Sequence, residues 1–110
     1  MGLDSNTGPP FAIIVIPGNP TTVVLKGELD MATAPELSQR LEEVAAAGLH
    51  TVRLDLSELE FMDSQGIKVL LQARETVQSQ GGRLTVDSPQ PLVARVLETT
   101  GLLKLFTDGE

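Results

Sequence analysis

A serine at the start of a helix is the residue of this chain best placed to do chemistry. Ser64 lies in the segment Phe61-Met62-Asp63-Ser64-Gln65-Gly66, which joins an apolar strand to an amphipathic helix. Backbone N–H groups point outward at a helix amino terminus and the helix dipole is positive there, so an anion is stabilised. A phosphate carried by the serine itself would be such an anion. The segment therefore favours a phosphorylation switch over a catalyst.

A serine hydrolase is the catalytic alternative for Ser64, and two features argue against it. The nucleophile elbow has the pattern Gly-x-Ser-x-Gly, and Met62 stands where its first glycine is needed. The single histidine, His50, precedes the strand that Ser64 follows, which puts the two roughly 20 Å apart, too far for a general base. A nucleotide-binding P-loop is also unsupported, because the segment lacks its spaced glycines and its lysine.

The composition of the 110 residues excludes further classes. The chain has no cysteine, which rules out a disulfide scaffold, a catalytic thiol and cysteine-ligated metals. With one histidine and no acidic calcium loop, we expect no metal or other cofactor. A net charge of −7, from 8 basic and 15 acidic residues, argues against nucleic acid or an anionic membrane as partner. It suits a partner with a basic or mixed surface.

The ends and the hydropathy of the chain predict one domain in the cytoplasm. No apolar run approaches the roughly 20 residues of a membrane span. Residues 1–10 lack the basic and apolar segments of a secretory signal, and their glycines and prolines predict a flexible tail. Residues 11–110 are long enough for one domain with its own core.

The apolar pattern predicts the element order β-β-α-β-α-β-α, with either a last short strand or a final half-turn over 103–106. Residues 11–16 and 21–25 flank the turn sequence Pro17-Gly18-Asn19-Pro20 and predict an antiparallel hairpin. The remaining strands are predicted over 51–56 and 84–86. Helices are predicted over 35–47, from residue 63 or 64 to Gly81-Gly82, and from Ser88-Pro89 to Gly101.

Local signals predict the helix starts and the buried helix faces. Thr33 with Glu36 fits a capping box, and Ser88 is the expected cap of the third helix. The expected buried faces of the second and third helices are Ile67, Leu70, Leu71 and Val77, and Leu92, Val93, Val96 and Leu97.

Strands followed by helices imply right-handed crossovers and a mainly parallel sheet. Val52, Leu54 and Leu56 alternate with polar residues, so helices should cover mainly one face of that sheet. The predicted fold class is therefore α/β, with a mixed four- to five-stranded sheet and helices mainly on one face.

This topology brings two acidic residues near Ser64. Parallel strands that end near Asp30 and near residues 57–61 finish at the same sheet edge, which places Asp30 close to Asp63 and Ser64. Turn and capping roles are the alternative for both aspartates, and a helix cap is the alternative for Ser64. Core or rim packing is the alternative for the apolar residues Met31, Phe61 and Met62.

Short segments spread over residues 11–106 form a recognisable pattern. They are Gly27-Glu28-Leu29-Asp30, Thr33-Ala34, Leu54-Asp55-Leu56-Ser57, Phe61-Met62-Asp63-Ser64-Gln65-Gly66-Ile67, Gly81-Gly82-Arg83-Leu84 and Thr100-Gly101-Leu102. Together they resemble the anti-sigma-factor antagonists of the sulfate transporter and anti-sigma antagonist (STAS) domain family. The Asp-Ser-x-Gly segment between a strand and a helix is the most specific part.

The resemblance implies a non-enzymatic regulator in a partner-switching circuit. In that family the unphosphorylated antagonist binds an anti-sigma factor that is also a serine kinase, and the sigma factor is freed. Phosphorylation of the motif serine, here Ser64, separates the two, and a serine phosphatase resets the switch. The implied partner-binding residues are Glu28, Asp30, Met31, Thr33, Met62, Asp63, Ser64, Gln65 and Gly66. A STAS subunit of a stress-signalling or lipid-transport complex is the alternative, and the oligomeric state stays open.

Overall fold

A mixed four-stranded sheet with four helices is the fold that the computed structural model gives for residues 11–107. The predicted tail, residues 1–10, and residues 108–110 lie outside the described residues. The strands are β1 (Ala12–Ile16), β2 (Thr21–Leu29), β3 (Thr51–Met62) and β4 (Arg83–Asp87). The helices are α1 (Ala34–Ala46), α2 (Ser64–Ser79), α3 (Pro91–Thr99) and α4 (Leu102–Thr107).

The sheet has the strand order β1-β2-β3-β4. β1 pairs antiparallel with β2, which confirms the predicted hairpin, and the β2–β3 and β3–β4 pairs are parallel. α1 and α2 make the crossovers between these parallel strands, so the predicted α/β class is confirmed. Of the two alternatives for residues 103–106, the fifth strand is wrong and the helical turn is confirmed, because these residues belong to α4, where the apolar spacing buries Phe106 completely.

Burial alternates along the central strands, so one face of the sheet carries the core. On β2 the residues Val23, Leu25 and Leu29 are fully buried. On the opposite face the Arg53 guanidinium pairs with the Asp87 carboxylate and donates to Thr22 Oγ1 at 3.2 Å. That polar bridge crosses β2, β3 and β4 with half-buried side chains, in keeping with the predicted one-sided cover.

β3 ends at Met62, one residue past the predicted end near residues 57–61, but its alternating pattern stops at Leu56 because two bulges disturb it. The β2–β3 register shifts twice, and each shift adds one residue to β3. At the first bulge the Asp55 carboxylate accepts a hydrogen bond from the Ser57 backbone N–H at 2.9 Å. Beyond it the buried residues recur at every third position, Leu56, Leu59 and Met62. The two-residue period that reveals a strand is therefore lost halfway along it.

The predicted cap of α3 is wrong. Ser88 lies outside the helix with φ 55°, and Gln90 is the N-cap residue, followed by Pro91 in the first turn. Proline suits that position because its missing N–H would have no helical partner there. The Gln90 side-chain amide donates instead to the Ser57 carbonyl at 2.7 Å, which ties the start of α3 to the first bulge of β3.

The buried helix faces are only partly as predicted. On α2 the residues Leu70 and Val77 are buried, but Ile67 and Leu71 are half-buried. Small residues complete the inner face of that helix, namely Gly66, Val69 and Ala73. On α3 the residues Val93 and Leu97 are buried, Val96 is half-buried, and Leu92 is 52% exposed.

Candidate functional site

The carboxyl ends of the two central strands meet beside Ser64. Leu29 pairs with Met62, and the Asp63 N–H continues the ladder by donating to the Leu29 carbonyl at 3.1 Å. Asp30 and Asp63 therefore follow neighbouring strands at the same edge, as the parallel topology predicted. We call this region, residues 28–33 and 61–66, the Ser64 edge.

Asp63 is the residue that caps α2. Its carboxylate Oδ1 accepts from the Gln65 N–H at 2.9 Å and from the Gly66 N–H at 3.2 Å, while its own backbone is extended. The capping role considered for Asp63 is thus what the structure shows. A carboxylate at this position satisfies backbone donors that the helix leaves unpaired and complements the helix dipole. These two amides are consequently not free to bind a second anion.

Ser64 is the first residue of α2 and its side chain is exposed. Within residues 11–107 its hydroxyl makes no hydrogen bond, so it does not cap the helix. An exposed hydroxyl without an internal partner can enter the active site of another protein. Gln65, the next residue, is exposed as well.

The turn between β2 and α1 is held by reciprocal hydrogen bonds between Asp30 and Thr33. The Asp30 carboxylate accepts from the Ala32 N–H at 3.0 Å and the Thr33 N–H at 3.2 Å. The Thr33 hydroxyl accepts from the Asp30 N–H at 2.9 Å and donates to the Glu28 carbonyl at 2.8 Å. The predicted capping box is wrong, because the hydroxyl is used in these bonds and caps no helical N–H. The turn presents Met31 at its tip, 74% exposed.

The predicted binding residues fall into a surface group and a buried group. Glu28, Met31, Ser64 and Gln65 are exposed, and Asp30, Thr33 and Asp63 are half-buried. Met62 is 1% exposed and Gly66 is buried, so neither offers a side chain to the surface. A β-carbon on Gly66 would lie 2.8 Å from both Leu29 Cγ and Met62 Cγ. The glycine thus lets α2 approach the strand ends and supports the edge from beneath.

Phe61 is a surface residue that the sequence reasoning did not assign to binding. It is 38% exposed and pairs with Glu28 across the two strands. Neighbouring residues of a strand point to opposite faces, so the burial of Met62 places Phe61 on the other face. The sequence did not reveal which face Phe61 occupies, because the two-residue alternation of β3 is lost before that residue. Phe61 adds a second exposed apolar side chain, besides Met31, to the Ser64 edge.

His50, the single histidine of the chain, lies too far from Ser64 to be its catalytic base. His50 precedes β3 and Ser64 follows it, and this strand has 12 residues. At about 3.3 Å per residue the separation is roughly 35–40 Å, larger than the sequence predicted. Among residues 11–107 no group of three or more histidine, aspartate or glutamate side chains could hold a metal ion. In the same part of the chain, no helix has the length and apolar character needed to cross a membrane.

Comparisons with known proteins give consistent findings. A family model described as "Mlab, STAS domain" matches residues 14–107. The anti-sigma F factor antagonist of Paenibacillus polymyxa is 33% identical over 85 residues, 76% of this chain and 73% of that protein. The anti-sigma-B factor antagonist of Bacillus subtilis is 32% identical over 84 residues, 76% of each chain. The crystal structure of an anti-sigma factor antagonist from Mycobacterium paratuberculosis superposes with a TM-score of 0.79 at 33% identity, covering 88% of this chain and 83% of that one.

Proposed function

The chain belongs to the STAS domain family, and we propose that it is an anti-sigma factor antagonist that phosphorylation of Ser64 switches off. Its similarity to proteins named as such antagonists supports the general role. The observation that carries the switch is the exposed Ser64 hydroxyl, which has no hydrogen-bond partner within residues 11–107 and lies beside a rigid turn. The protein is a substrate of enzymes in this scheme and acts in the cytoplasm.

The unphosphorylated protein binds its partner through the Ser64 edge. The partner is an anti-sigma factor with serine kinase activity, and its capture frees a sigma factor. Direct contacts come from exposed and half-buried residues, which are Glu28, Asp30, Met31, Thr33, Asp63, Ser64 and Gln65. Met62 and Gly66 hold this surface in shape from below. The acidic side chains around Met31 suit a partner surface with basic residues around an apolar depression.

In this proposal phosphorylation dissociates the complex through the negative charge that it adds. A phosphate adds about −1.5 to −2 charges at Ser64. The Asp63 carboxylate already occupies the helix start, and Asp30 lies at the end of the neighbouring strand, so like charges accumulate at one edge. Repulsion and lost contacts need to cost only about 1.4 kcal/mol for each tenfold loss in affinity. A serine phosphatase removes the phosphate and restores binding.

A kinase assay tests this function. The protein is incubated with ATP and candidate anti-sigma kinases from the source genome, and the product is read by intact-protein mass spectrometry. We expect one added phosphate on the wild-type protein and on a Ser57→Ala variant, but none on Ser64→Ala. Ser57 is a suitable control because it too is exposed. No phosphate from any candidate, or a phosphate that persists in Ser64→Ala, would contradict the proposed switch.

A STAS subunit of a stress-signalling or lipid-transport complex is the second candidate. The family match over residues 14–107 is compatible with it, because the match is to the STAS domain, whose name covers transporters as well as anti-sigma antagonists. Affinity purification from the source organism distinguishes the two. Co-purification of a kinase supports the antagonist, whereas co-purification of a transporter ATPase supports the second candidate.

A further inference from the structure

Lys68 lies one helical turn after Ser64 on the outer face of α2. Residues four apart on an α-helix are neighbours, because a turn takes about 3.6 residues. Both side chains are exposed, and the inner face of the helix is formed by Gly66, Leu70, Ala73 and Val77 on the opposite side. A group added to the Ser64 hydroxyl would therefore lie within reach of the Lys68 ammonium.

Lys68 has no acidic partner in the part of the chain that the structure describes. The helix positions three and four residues away are Ser64, Gln65, Leu71 and Gln72, none of which is acidic. Ion pairs among residues 11–107 involve other cations, among them Lys26 with Glu58, Arg40 with Glu43, and Arg53 with Asp87. The ammonium group is therefore available to a new anion.

The backbone N–H groups next to Ser64 are not available to bind a phosphate. The Asp63 carboxylate already accepts from the Gln65 and Gly66 N–H groups. A phosphate on Ser64 would have to displace this cap, or find its counter-charge on a side chain. Lys68 carries the nearest positive charge along α2, since Arg74 follows six residues later.

We propose that Lys68 binds the phosphate of phosphorylated Ser64 within the same molecule. The pair places the anion four residues before the cation, which is the favourable orientation on a helix. The ion pair stabilises the phosphorylated state. It holds the phosphate on the outer face of α2, near Lys68 and displaced along the helix from the Asp63 carboxylate. This ion pair requires a phosphate on Ser64 and so rests on the proposed function.

A phosphorus NMR titration of the phosphoprotein tests the ion pair. Phosphoserine is installed at position 64 during translation, so no kinase is needed, and the second pKa of the phosphate is measured at low salt. The variants are Lys68→Gln and, as a control with the same charge change, Lys104→Gln, an exposed lysine in α4. Loss of one i, i+4 ion pair is expected to raise this pKa by about 0.2–0.4 unit in Lys68→Gln. Equal values in the two variants would overturn the ion pair.

Salt gives the titration a second readout. In about 1 M salt the screening length falls to about 3 Å, so the difference between the variants is expected to shrink strongly. A difference that did not change with salt would contradict an ion pair. Because phosphoserine is installed without a kinase, failure of every kinase candidate would count against the proposed function while leaving this titration valid. Successful phosphorylation with equal phosphate pKa values would overturn the role of Lys68 alone.

Discussion

Adding one methyl group at Gly66 should loosen the Ser64 edge from beneath. In Gly66→Ala the new β-carbon would lie 2.8 Å from Leu29 Cγ, 2.8 Å from Met62 Cγ and 2.9 Å from Leu29 Cδ2. Carbon atoms in ordinary contact are about 3.5–4.0 Å apart, so these neighbours must move by roughly 1 Å. Leu29 and Met62 are fully buried, so they must move within the packed core.

The magnitude follows from two opposing effects. Overpacking a buried site costs about 1–3 kcal/mol, whereas replacing glycine by alanine in a helix gains up to about 1 kcal/mol. We therefore expect the free energy of unfolding to fall by about 0.5–2 kcal/mol. For a small domain that is roughly 3–12 °C in melting temperature. Affinity for the anti-sigma partner should fall as well, since the Leu29 carbonyl that holds the Asp63 N–H must shift with its residue.

Thermal unfolding followed by circular dichroism measures the first effect, and titration calorimetry with the partner measures the second. Gln65→Ala is the matched control, because it changes the neighbouring helix position at an exposed site. That variant should melt within a few degrees of the wild-type protein. If Gly66→Ala melted at or above the wild-type temperature, the close approach of α2 to the strand ends would not be what requires glycine.

Other variants test the switch, the turn and the first bulge. Ser64→Asp should melt near the wild-type temperature but bind the anti-sigma partner at least tenfold more weakly, whereas Ser64→Ala should bind it constitutively; equal binding by the two variants would remove the case for expulsion by charge. Thr33→Val should lose about 1–3 kcal/mol in chemical denaturation, since it leaves the Asp30 N–H and the Glu28 carbonyl without their partner, and an unchanged midpoint would contradict that role. Hydrogen bonds from the Ser57 backbone and side chain lower the pKa of Asp55 below its ordinary 3.8. The stability that this carboxylate contributes is complete above that ordinary pKa and is lost as the pH falls through the lower pKa of the folded state. Asp55→Asn should therefore be less stable than wild type at neutral pH, with the gap closing in denaturation measured at pH values well below 3.8, and a gap of constant size would refute the assignment.

The sequence predicted the fold correctly where a single local pattern, such as a turn or an alternation of strands and helices, was unambiguous. The turn prolines and glycine between residues 16 and 21 predicted the β1–β2 hairpin, and the strand–helix alternation predicted the parallel central strands. From these two features the meeting of Asp30 and Asp63 followed without any knowledge of side-chain contacts. The resemblance to the antagonists added the proposed role of Ser64, which geometry alone does not supply.

The sequence failed where contacts outside a helix redirect a local preference. Thr33 stands three residues before Glu36 as in a capping box, but its hydroxyl bonds to the Asp30 N–H and the Glu28 carbonyl at the end of β2. Ser88 resembles a cap, yet Gln90 takes that position and its side chain reaches the first bulge of β3. That bulge arises from pairing with β2, a partner that no local window contains, and so the strand end near residues 57–61 was predicted but the faces of the second half of β3 were not.

The construction of the Ser64 edge also has a consequence for how fast the circuit can respond. The edge directly continues the paired ends of β2 and β3 at the buried Leu29 and Met62, and hydrogen bonds between Asp30 and Thr33 hold its turn. In the proposed switch a partner would meet the same backbone with and without phosphate, and would distinguish the two by the charge and size of the added group. Such a signal would be complete once the phosphoryl group is transferred, without a slower conformational step on the scale of microseconds to seconds. The delay between stress and transcription would then be set by the kinase, the phosphatase and the dissociation of the complex, and hardly at all by the antagonist itself.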